Sequence, residues 1–249
     1  MKILVTGHDG FIGSHVSEHL KSLGYEVDGL SFPDDIKDFS GTTRYDIVIH
    51  LAAFANIRGS LDNPDVFWEN NVEKSKPIFD YCGEHNVRLL YASSAGAHEW
   101  WQNPYAITKK ANELMAPPNS VGMRFFNVWS EEGSREDMLY RMLKDKTATY
   151  LTRHKRDWIH VNDVCSAIAY IMTSEYVGHI DIGTGQSTSV LDLAKAMGMD
   201  YLPIKEYTPN EPDSLCADTS ALTSLGWFPT INILESVSND ATPELATSL

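Results

Sequence analysis

The first twenty residues place three glycines between a short apolar run and a helical pattern. Residues 2–5 (KILV) suit a strand that is buried on both faces of a sheet. Gly7, Gly10 and Gly13 follow in a G-x-x-G-x-x-G spacing. A strand, a glycine turn and a helix in this order let backbone N–H groups approach a pyrophosphate at the positive end of the helix. The segment predicts a dinucleotide-binding loop, although the triplet alone also suits a tight strand-to-helix turn.

The same helix contains a pattern that is also found at metal sites. His15, Glu18 and His19 match H-x-x-E-H, which places two imidazoles and a general base on one helical face. That arrangement needs a helix lining an open cleft, whereas this helix follows a phosphate loop and must pack its apolar side on the sheet. We therefore expect both histidines on a solvated flank of the helix, and no metal.

Strands and helical stretches alternate over residues 1–94, and this alternation predicts an α/β fold. The predicted strands after the first lie at residues 26–32, 45–51 and 86–94. A helix-like pattern at residues 64–82 should be divided at Pro77. We expect a Rossmann-like doubly wound parallel sheet, with ligands at the carboxyl ends of its strands. Those ends are Gly7, Ser31, Ala52 and Ser94.

The end of the second predicted strand bears on the choice of cofactor. An acidic residue usually binds the adenosine ribose there, but this chain has Ser31. Asp34 and Asp35 follow with no arginine nearby and disfavour a 2′-phosphate, so NAD is expected and NADP is not excluded. Ala52 and Ala53 after the third strand could let a flat ring lie against the backbone, or could simply allow close packing.

Length and charge limit the possible partners. A chain of 249 residues can bury one sizeable core and a small lobe. The net charge of −14 predicts repulsion of nucleic acid and of anionic membranes. The three cysteines have no C-x-x-C spacing, and no leader or membrane-spanning run is visible. We expect a soluble, cytoplasmic protein that binds neither nucleic acid nor membrane.

The segment from Asn103 to Glu113 is the best candidate for chemistry. Pro104 can start a helix, and Tyr105 and Lys109 then lie four residues apart on one face. An ammonium group close to a phenol lowers the pKa of that phenol, which would make Tyr105 a usable proton acceptor. Ser94 is placed to align a substrate oxygen. A Y-x-x-x-K pattern also occurs by chance on helix surfaces, so the preceding nucleotide loop is what favours catalysis.

From residue 1 to about residue 237 the chain resembles the extended short-chain dehydrogenase/reductases that act on nucleotide sugars, best represented by the sugar-nucleotide 4-epimerases. Nine motifs in the family's order carry the resemblance. They are TGHDGFIG (6–13), DI (35–36), HLAA (50–53), ASS (92–94), PYAITK (104–109), RFFNVW (124–129), RDWIHVNDV (156–164), IGTG (182–185) and LGW (225–227).

The resemblance implies a role for each matching residue. The cofactor-binding residues would be Gly7, Gly10, Phe11, Ile12, Gly13, Ser31, Asp35, Ile36, Leu51, Ala52, Ala53, Tyr105 and Lys109. Ser94, Tyr105 and Lys109 would be the catalytic trio, and Ser94 would also touch the substrate. Asn127 and Arg156 would hold the diphosphate of a nucleotide-sugar substrate, although Arg156 could instead form a salt bridge with Asp157 or another surface acid. Pairing into a homodimer is also implied.

Departures from the family pattern narrow the expected reaction. Family dehydratases commonly carry an acid just after the catalytic hydroxyl, where this chain has Ala95 and Gly96. An arginine expected near the C-terminus is missing from residues 209–218, and two segments are shortened. We expect an epimerase of UDP- or dTDP-hexoses that acts through transient hydride transfer and a 4-keto intermediate. A nucleotide 4-keto-sugar reductase using NAD(P)H and a non-catalytic nucleotide-binding module are the alternatives.

The expected division of the chain follows from the same reasoning. Residues 1–185 should be mainly the dinucleotide-binding domain, with residues 128–155 contributing to a small substrate-binding lobe. Residues 186–249 should belong mainly to that lobe.

Overall fold

A computed structural model describes residues 1–31, 36, 39–132, 134–206 and 210–240. The strands are β1 (Lys2–Thr6), β2 (Glu26–Leu30), β3 (Ile47–His50), β4 (Arg88–Ser94), β5 (Ser120–Phe125), β6 (Asn127–Trp129), β7 (Lys155–His160), β8 (Gly178–Ile182) and β9 (Ser187–Ser189). Within this part of the chain, six strands form a parallel sheet in the order β2-β1-β3-β4-β5-β8. The sequence-based prediction of a Rossmann-like parallel α/β fold is confirmed.

Helices connect these strands on both faces of the sheet. They are α1 (Phe11–Ser22), α2 (Ile57–Asp62), α3 (Pro64–Asn71), α4 (Lys76–His85), α5 (Pro104–Met115), α6 (Leu139–Lys144), α7 (Val161–Met172), α8 (Val190–Ala196), α9 (Ser220–Ser224) and α10 (Ile233–Asp240). Short 3-10 turns lie at Glu73–Ser75 and Ala95–Gln102. Pro77 stands in the first turn of α4, where its missing N–H leaves no bond unmade, and the long helical pattern is divided there as predicted.

Separate apolar clusters cover the two faces of the sheet. One cluster joins α1 and α7 to side chains such as Val5 and Ile49, and the other joins α4 to Val48 and Leu89. Side chains of neighbouring residues therefore leave a strand on opposite faces, as the period of two requires. Both faces are covered, which is why these strands read as nearly continuous apolar runs.

A second, smaller sheet pairs β6 with β7 in parallel and β7 with β9 in antiparallel. A third apolar cluster lies beside it and includes Trp129, Trp158, Leu193 and Val237. This cluster draws residues from both sides of residue 185. The division of the chain at residue 185 stays a prediction, and the cluster supports a lobe that takes in residues 129–158.

The strand bounds differ slightly from the sequence-based ones. β2 ends at Leu30 instead of Phe32, and β3 covers Ile47–His50 instead of residues 45–51. The differences arise because a strand ends where its ladder of hydrogen bonds ends, which depends on its neighbours. Asp35 lies outside the described residues.

Candidate functional site

The glycine loop after β1 is built by close backbone approach. Gly7 has φ of +69°, and a Cβ on it would lie 2.8 Å from the backbone nitrogen of Ala52. A Cβ on Gly13 would lie 1.9 Å from the carbonyl oxygen of Gly7. Side chains at these two positions would therefore push α1 and the loop after β3 away from the turn.

The start of α1 suits an anionic group. Gly10 is the N-cap residue and has no side chain to accept from the first-turn N–H groups. Phe11 and Ile12 pack partly buried against the main core, so the helix axis is fixed while its N-terminus stays open to the loop. These N–H groups and the positive end of the helix dipole fit the pyrophosphate of a dinucleotide.

The other predicted cofactor residues lie along the same edge of the sheet. Ser31 is buried, and its hydroxyl accepts a long hydrogen bond (3.5 Å) from the N–H of Asp9. Leu51 packs partly buried against the main core, and Ala52 and Ala53 follow it. The N–H of Ala52 donates to the hydroxyl of Thr6 at 3.3 Å.

Ile36 is the described member of the predicted adenine-binding pair. It is partly buried and packs against the apolar cluster on the α4 side of the sheet. Its predicted partner Asp35 is outside the described residues, so a contact of the pair with adenine remains a prediction.

The proposed catalytic side chains lie together where β4 ends and α5 begins. Tyr105 is only 9% exposed, and its phenol lies close enough to Ser94, the last residue of β4, for that hydroxyl to lower the pKa of the phenol. Asn103 caps α5 by accepting from the N–H of Ala106 at 2.9 Å, and the hydroxyl of Ser60 accepts from the N–H of Tyr105 at 3.1 Å. Two hydrogen bonds therefore fix the first turn of α5, one from the cap residue Asn103 and one to the backbone of Tyr105.

Burial sets the pKa of the phenol in this structure. It raises the pKa of Tyr105, and a hydrogen bond with Ser94 and the charge of Arg135 offset part of that rise. The sequence-based expectation was a lowered pKa caused by Lys109. The difference arises because the ammonium donates to the carbonyl of Ala92 at 2.9 Å and lies 5.7 Å from the centre of the phenol ring.

Lys109 is itself strongly affected by burial. Lys109 is only 2% exposed, and desolvation lowers the pKa of its ammonium group to about 8. Near neutral pH the ammonium form therefore still prevails. The lysine stands one turn after Tyr105 on the same helix face, as the four-residue spacing predicted.

A chain of neutral hydrogen bonds runs beneath this edge. The hydroxyl of Thr6 donates to Nδ1 of His50 at 2.7 Å, and Nε2 of His50 donates to Ser75 Oγ at 2.9 Å. Ser75 in turn donates to the carbonyl of Asn71 at 2.8 Å, which fixes this tautomer. Burial, with a smaller effect from the charge of Lys109, lowers the pKa of His50 to about 3. The imidazole is therefore neutral at physiological pH.

Asn71 extends that chain to the helix that carries Tyr105. Its side chain donates to Thr108 Oγ1 at 3.1 Å and exchanges hydrogen bonds with the backbone of Phe54. Asn112 donates to the Asn71 carbonyl at 2.8 Å. The loop after β3 and α5 are thus tied to one fully buried asparagine.

A charged network lies on the other side of α5. The carboxylate of Glu113 accepts from Arg124 at 2.7 and 2.9 Å and from Ser93 at 2.8 Å, and its side chain is 0% exposed. Desolvation would raise the pKa of Glu113, but these donors lower it to about 2. Arg124 also approaches His98, which pairs with Asp181 at 3.0 Å.

The predicted substrate residues stand on β6 and β7. Asn127 is half-buried and pairs with Trp158 across these two strands. Arg156 is 7% exposed, and its guanidinium contacts Glu211 Oε2 at 3.3 Å and His154 Nδ1 at 2.9 Å. Segment 210–217 lies over this edge, where Leu215 and Ala217 pack with Ala95 and Phe126.

Several residues of the site escaped the sequence analysis. Asn103 precedes a proline at a helix start, and this pattern would have identified it as an N-cap. Ser60, Asn71 and Glu211 carry no comparable local signal, because their partners are 45, 37 and 55 residues away. Tertiary contacts alone bring them to the site.

The H-x-x-E-H pattern lies on the flank of α1. The Nδ1 atom of His15 contacts the carbonyl oxygen of Phe11, one turn earlier on the same helix, at 2.8 Å. Among the described residues, no group of three or more His, Cys, Asp or Glu side chains could hold a metal ion. In the same part of the chain, no helix has both the length and the apolar character needed to cross a bilayer.

Comparison with known proteins places this nucleotide-binding fold in a family of enzymes. The family model described as NAD dependent epimerase/dehydratase family matches residues 3–183. The chain belongs to this family, and it is therefore an NAD-dependent enzyme of the sugar-nucleotide epimerase/oxidoreductase class. NAD as cofactor, predicted from the sequence, is confirmed by the same match.

Individual relatives agree with this assignment. A UDP-glucose 4-epimerase from Pisum sativum is 25% identical, with 91% of this chain and 90% of that enzyme covered. The alignment runs over 316 positions, more than the 249 residues of the chain, so it contains gaps in this sequence. Over the aligned region this chain is therefore shorter than that enzyme.

Solved structures share the fold. The Thermus thermophilus UDP-glucose 4-epimerase in complex with NAD has a TM-score of 0.80 and 24% identity, with 96% of this chain and 97% of that chain covered. TunA, described as an NAD-dependent NDP-hexosamine 5,6-dehydratase, has a TM-score of 0.85 and 23% identity, with 95% of each chain covered. Epimerases and dehydratases thus share this architecture.

Proposed function

We propose that the protein interconverts epimers of a UDP- or dTDP-hexose through a transient 4-keto sugar. The observation that carries the proposal is the approach of the Ser94 hydroxyl to the buried phenol of Tyr105, with Lys109 one turn further along α5. The similarity to the pea UDP-glucose 4-epimerase supports the substrate class.

The residues act in the following way. The hydroxyl of Ser94 holds the reacting sugar oxygen next to the phenol, and Tyr105 takes the proton from that oxygen and later returns it. Because burial raises the pKa of Tyr105, positive charge beside the phenol is needed for this role. Arg135 already lowers this pKa, and we assign a further contribution to Lys109, whose ammonium lies 5.7 Å from the centre of the phenol ring. Bound NAD supplies the acceptor and donor of hydride.

The glycine loop and the strand ends would hold the cofactor. We assign the pyrophosphate to the N–H groups at Phe11, Ile12 and Gly13, and the rest of the dinucleotide to Ser31, Asp35, Ile36 and Leu51–Ala53. Gly10, whose own N–H donates to the carbonyl of Gly7 at 3.0 Å, would contribute by the close approach that its missing side chain allows. The open N-terminus of α1 and the close contact between Gly7 and Ala52 support this assignment. Asn127 and Arg156 would bind the substrate diphosphate, because Arg156 offers a guanidinium within the covered edge of the sheet.

The residues after Ser94 favour epimerisation over elimination. Elimination needs an acid at the neighbouring sugar carbons, and the two positions after Ser94 are Ala95, which is buried, and Gly96. The fold itself does not separate the two reactions, since TunA shares it.

A homodimer remains a prediction that the surface of α5 supports. Ile107 and Leu114 are 37% and 77% exposed and lie two turns apart on this helix. Exposed apolar side chains aligned on one helix face are typical of a contact with a second subunit.

A one-way reductase of a nucleotide 4-keto sugar is the second candidate, and Ser31 favours it. A serine at the end of β2 does not demand the free ribose hydroxyls of NAD in the way that an acid would. Incubation with a keto sugar and NADPH separates the two functions. Net loss of nicotinamide absorbance supports the reductase, and sugar interconversion without that loss supports the epimerase.

The Tyr105→Phe variant tests the catalytic assignment. We expect kcat for sugar interconversion to fall by about a hundredfold or more, because proton transfer by a placed group contributes about that much. The fold should persist, since the ring is retained. Tyr91→Phe is the matched control, because Tyr91 is a buried tyrosine on β4 whose side chain packs in the cluster on the α4 side. Unchanged kcat in Tyr105→Phe would contradict the proposal.

A further inference from the structure

Arg156 is buried, but the carboxylate that pairs with it is partly exposed to solvent. Its Nη1 donates to the carbonyls of Lys155 at 3.0 Å and Asp213 at 3.4 Å. Its Nη2 reaches His154 and, at 3.3 Å, one oxygen of Glu211. Glu211 is 26% exposed at its side chain and makes a single contact instead of a bidentate one. Burial lowers the pKa of Arg156, and Glu211 opposes that effect only in part.

Glu211 belongs to the segment that covers the proposed site. Asn103, the cap of α5, donates from Nδ2 to the carbonyl of Asn210 at 3.2 Å. Further along, Leu215 and Ala217 pack with Ala95, the residue after Ser94. The ion pair between Arg156 and Glu211 is therefore held at the edge where Tyr105 and Ser94 meet.

A carboxylate and a diphosphate would compete for the same guanidinium. The two anions repel each other at close range, more strongly where water is scarce. A diphosphate has more oxygens and more charge than one carboxylate, so it can form the bidentate contact that Glu211 does not make. Glu211 can turn outward, because its side chain already reaches solvent.

We propose that Glu211 is a built-in competitor of the substrate: it pairs with Arg156 in the free protein, and the diphosphate of the nucleotide sugar displaces it. This inference rests on the proposed function, which assigns the diphosphate to Arg156. Glu211 thereby weakens the binding of any anion at Arg156, including the diphosphate.

Binding of UDP and dTDP to the full chain with NAD present tests this role by calorimetry. We expect Glu211→Gln to bind the tighter of the two about tenfold more tightly than the unaltered protein, because one charged competitor is removed. Glu206→Gln is the matched control, since Glu206 pairs with Arg153 in an exposed ion pair and should leave the affinity unchanged. The gain should vanish when Arg156→Met is added to Glu211→Gln.

The outcomes separate this inference from the proposed function. Equal or weaker binding by Glu211→Gln, with measurable binding by the unaltered protein, overturns the inference and leaves the function standing. A gain that persists in the Arg156→Met background also overturns it, because displacement requires the guanidinium. Absence of UDP and dTDP binding in all of these proteins overturns the inference together with the proposed substrate class. Thermal melting of each variant verifies that it is folded.

Discussion

Arg124 and Arg156 are both drawn into this protein, and their surroundings differ in a way that separates a structural arginine from a proposed ligand-binding one. Arg124 meets both oxygens of Glu113, which is fully buried, and this pairing raises the pKa of the arginine. Arg156 meets one oxygen of the partly exposed Glu211, and burial lowers its pKa. The first guanidinium is paired with a carboxylate within the fold, whereas the second has a single carboxylate contact, which is why we assign a ligand anion to it.

The position of each pair agrees with that distinction. Glu113 lies on α5 and Arg124 on β5, so their contact fastens a helix to the sheet beneath it. Glu211 lies on an irregular segment, so its contact can be exchanged without disturbing a helix or a strand. A stable pair between regular elements favours rigidity, and a single contact from a loop favours replacement by a ligand.

The largest expected effect is the loss of stability in Arg124→Met. This change leaves the buried carboxylate of Glu113 with Ser93, Lys110 and, at 3.9 Å, His179, and removal of the main partner of a buried charge costs about 3 kcal/mol or more. Urea unfolding measures the difference. Arg153→Met, which breaks an exposed pair with Glu206, serves as the control and should leave the unfolding midpoint unchanged. A loss below about 1 kcal/mol in Arg124→Met would remove the contrast between the two arginines.

Arg156→Met should have a smaller effect on folding and a clear effect on binding. The carbonyls of Lys155 and Asp213 also accept from the N–H groups of Leu215 and Lys155, so the change orphans neither oxygen. We expect the unfolding free energy to change by about 1 kcal/mol or less and the UDP affinity to fall about 10- to 100-fold. Calorimetry and urea unfolding measure the two quantities. A stability loss equal to that of Arg124→Met would mean that both arginines are structural.

Glu113→Gln should lower the unfolding free energy at pH 7 less than Arg124→Met does, and the pH dependence of that effect should reveal its origin. The amide keeps an acceptor for Arg124 but loses the charge, and we expect the unfolding free energy to fall by about 1.5 kcal/mol. Because the pKa of Glu113 is lowered to about 2, its stabilising charge is present above its usual pKa near 4.5 and is lost as the pH falls toward 2. The difference in unfolding free energy between the two proteins should therefore shrink over that range. A difference independent of pH would show that packing, not charge, is responsible.

The sequence predicted those parts of the site that depend on local pattern. The glycine loop is local because Gly7 and Gly13 approach each other within one turn, and the four-residue spacing of Tyr105 and Lys109 fixes their common face. The parallel sheet followed from alternating strands and helices, and the structure and the family match confirm it.

Properties that depend on burial could not be obtained in that way. The predicted direction of the pKa shift at Tyr105 was wrong. Desolvation, which depends on segments distant in sequence, raises this pKa, and the ammonium of Lys109 donates to a backbone carbonyl instead of approaching the phenol oxygen. The carboxylate on Arg156 was equally hidden, since Glu211 lies 55 residues away. The roles assigned to the individual site residues stay predictions until the variants are measured.

The side chain of Asn103 has two attachments, and they have a mechanical consequence. Its oxygen closes the first turn of α5, while its nitrogen ties down the segment that carries Glu211. We expect any movement of that segment on entry or exit of a ligand to be passed, through this one amide, to the turn on which Tyr105 stands. Ligand binding at Arg156 and alignment of the phenol would then be mechanically coupled.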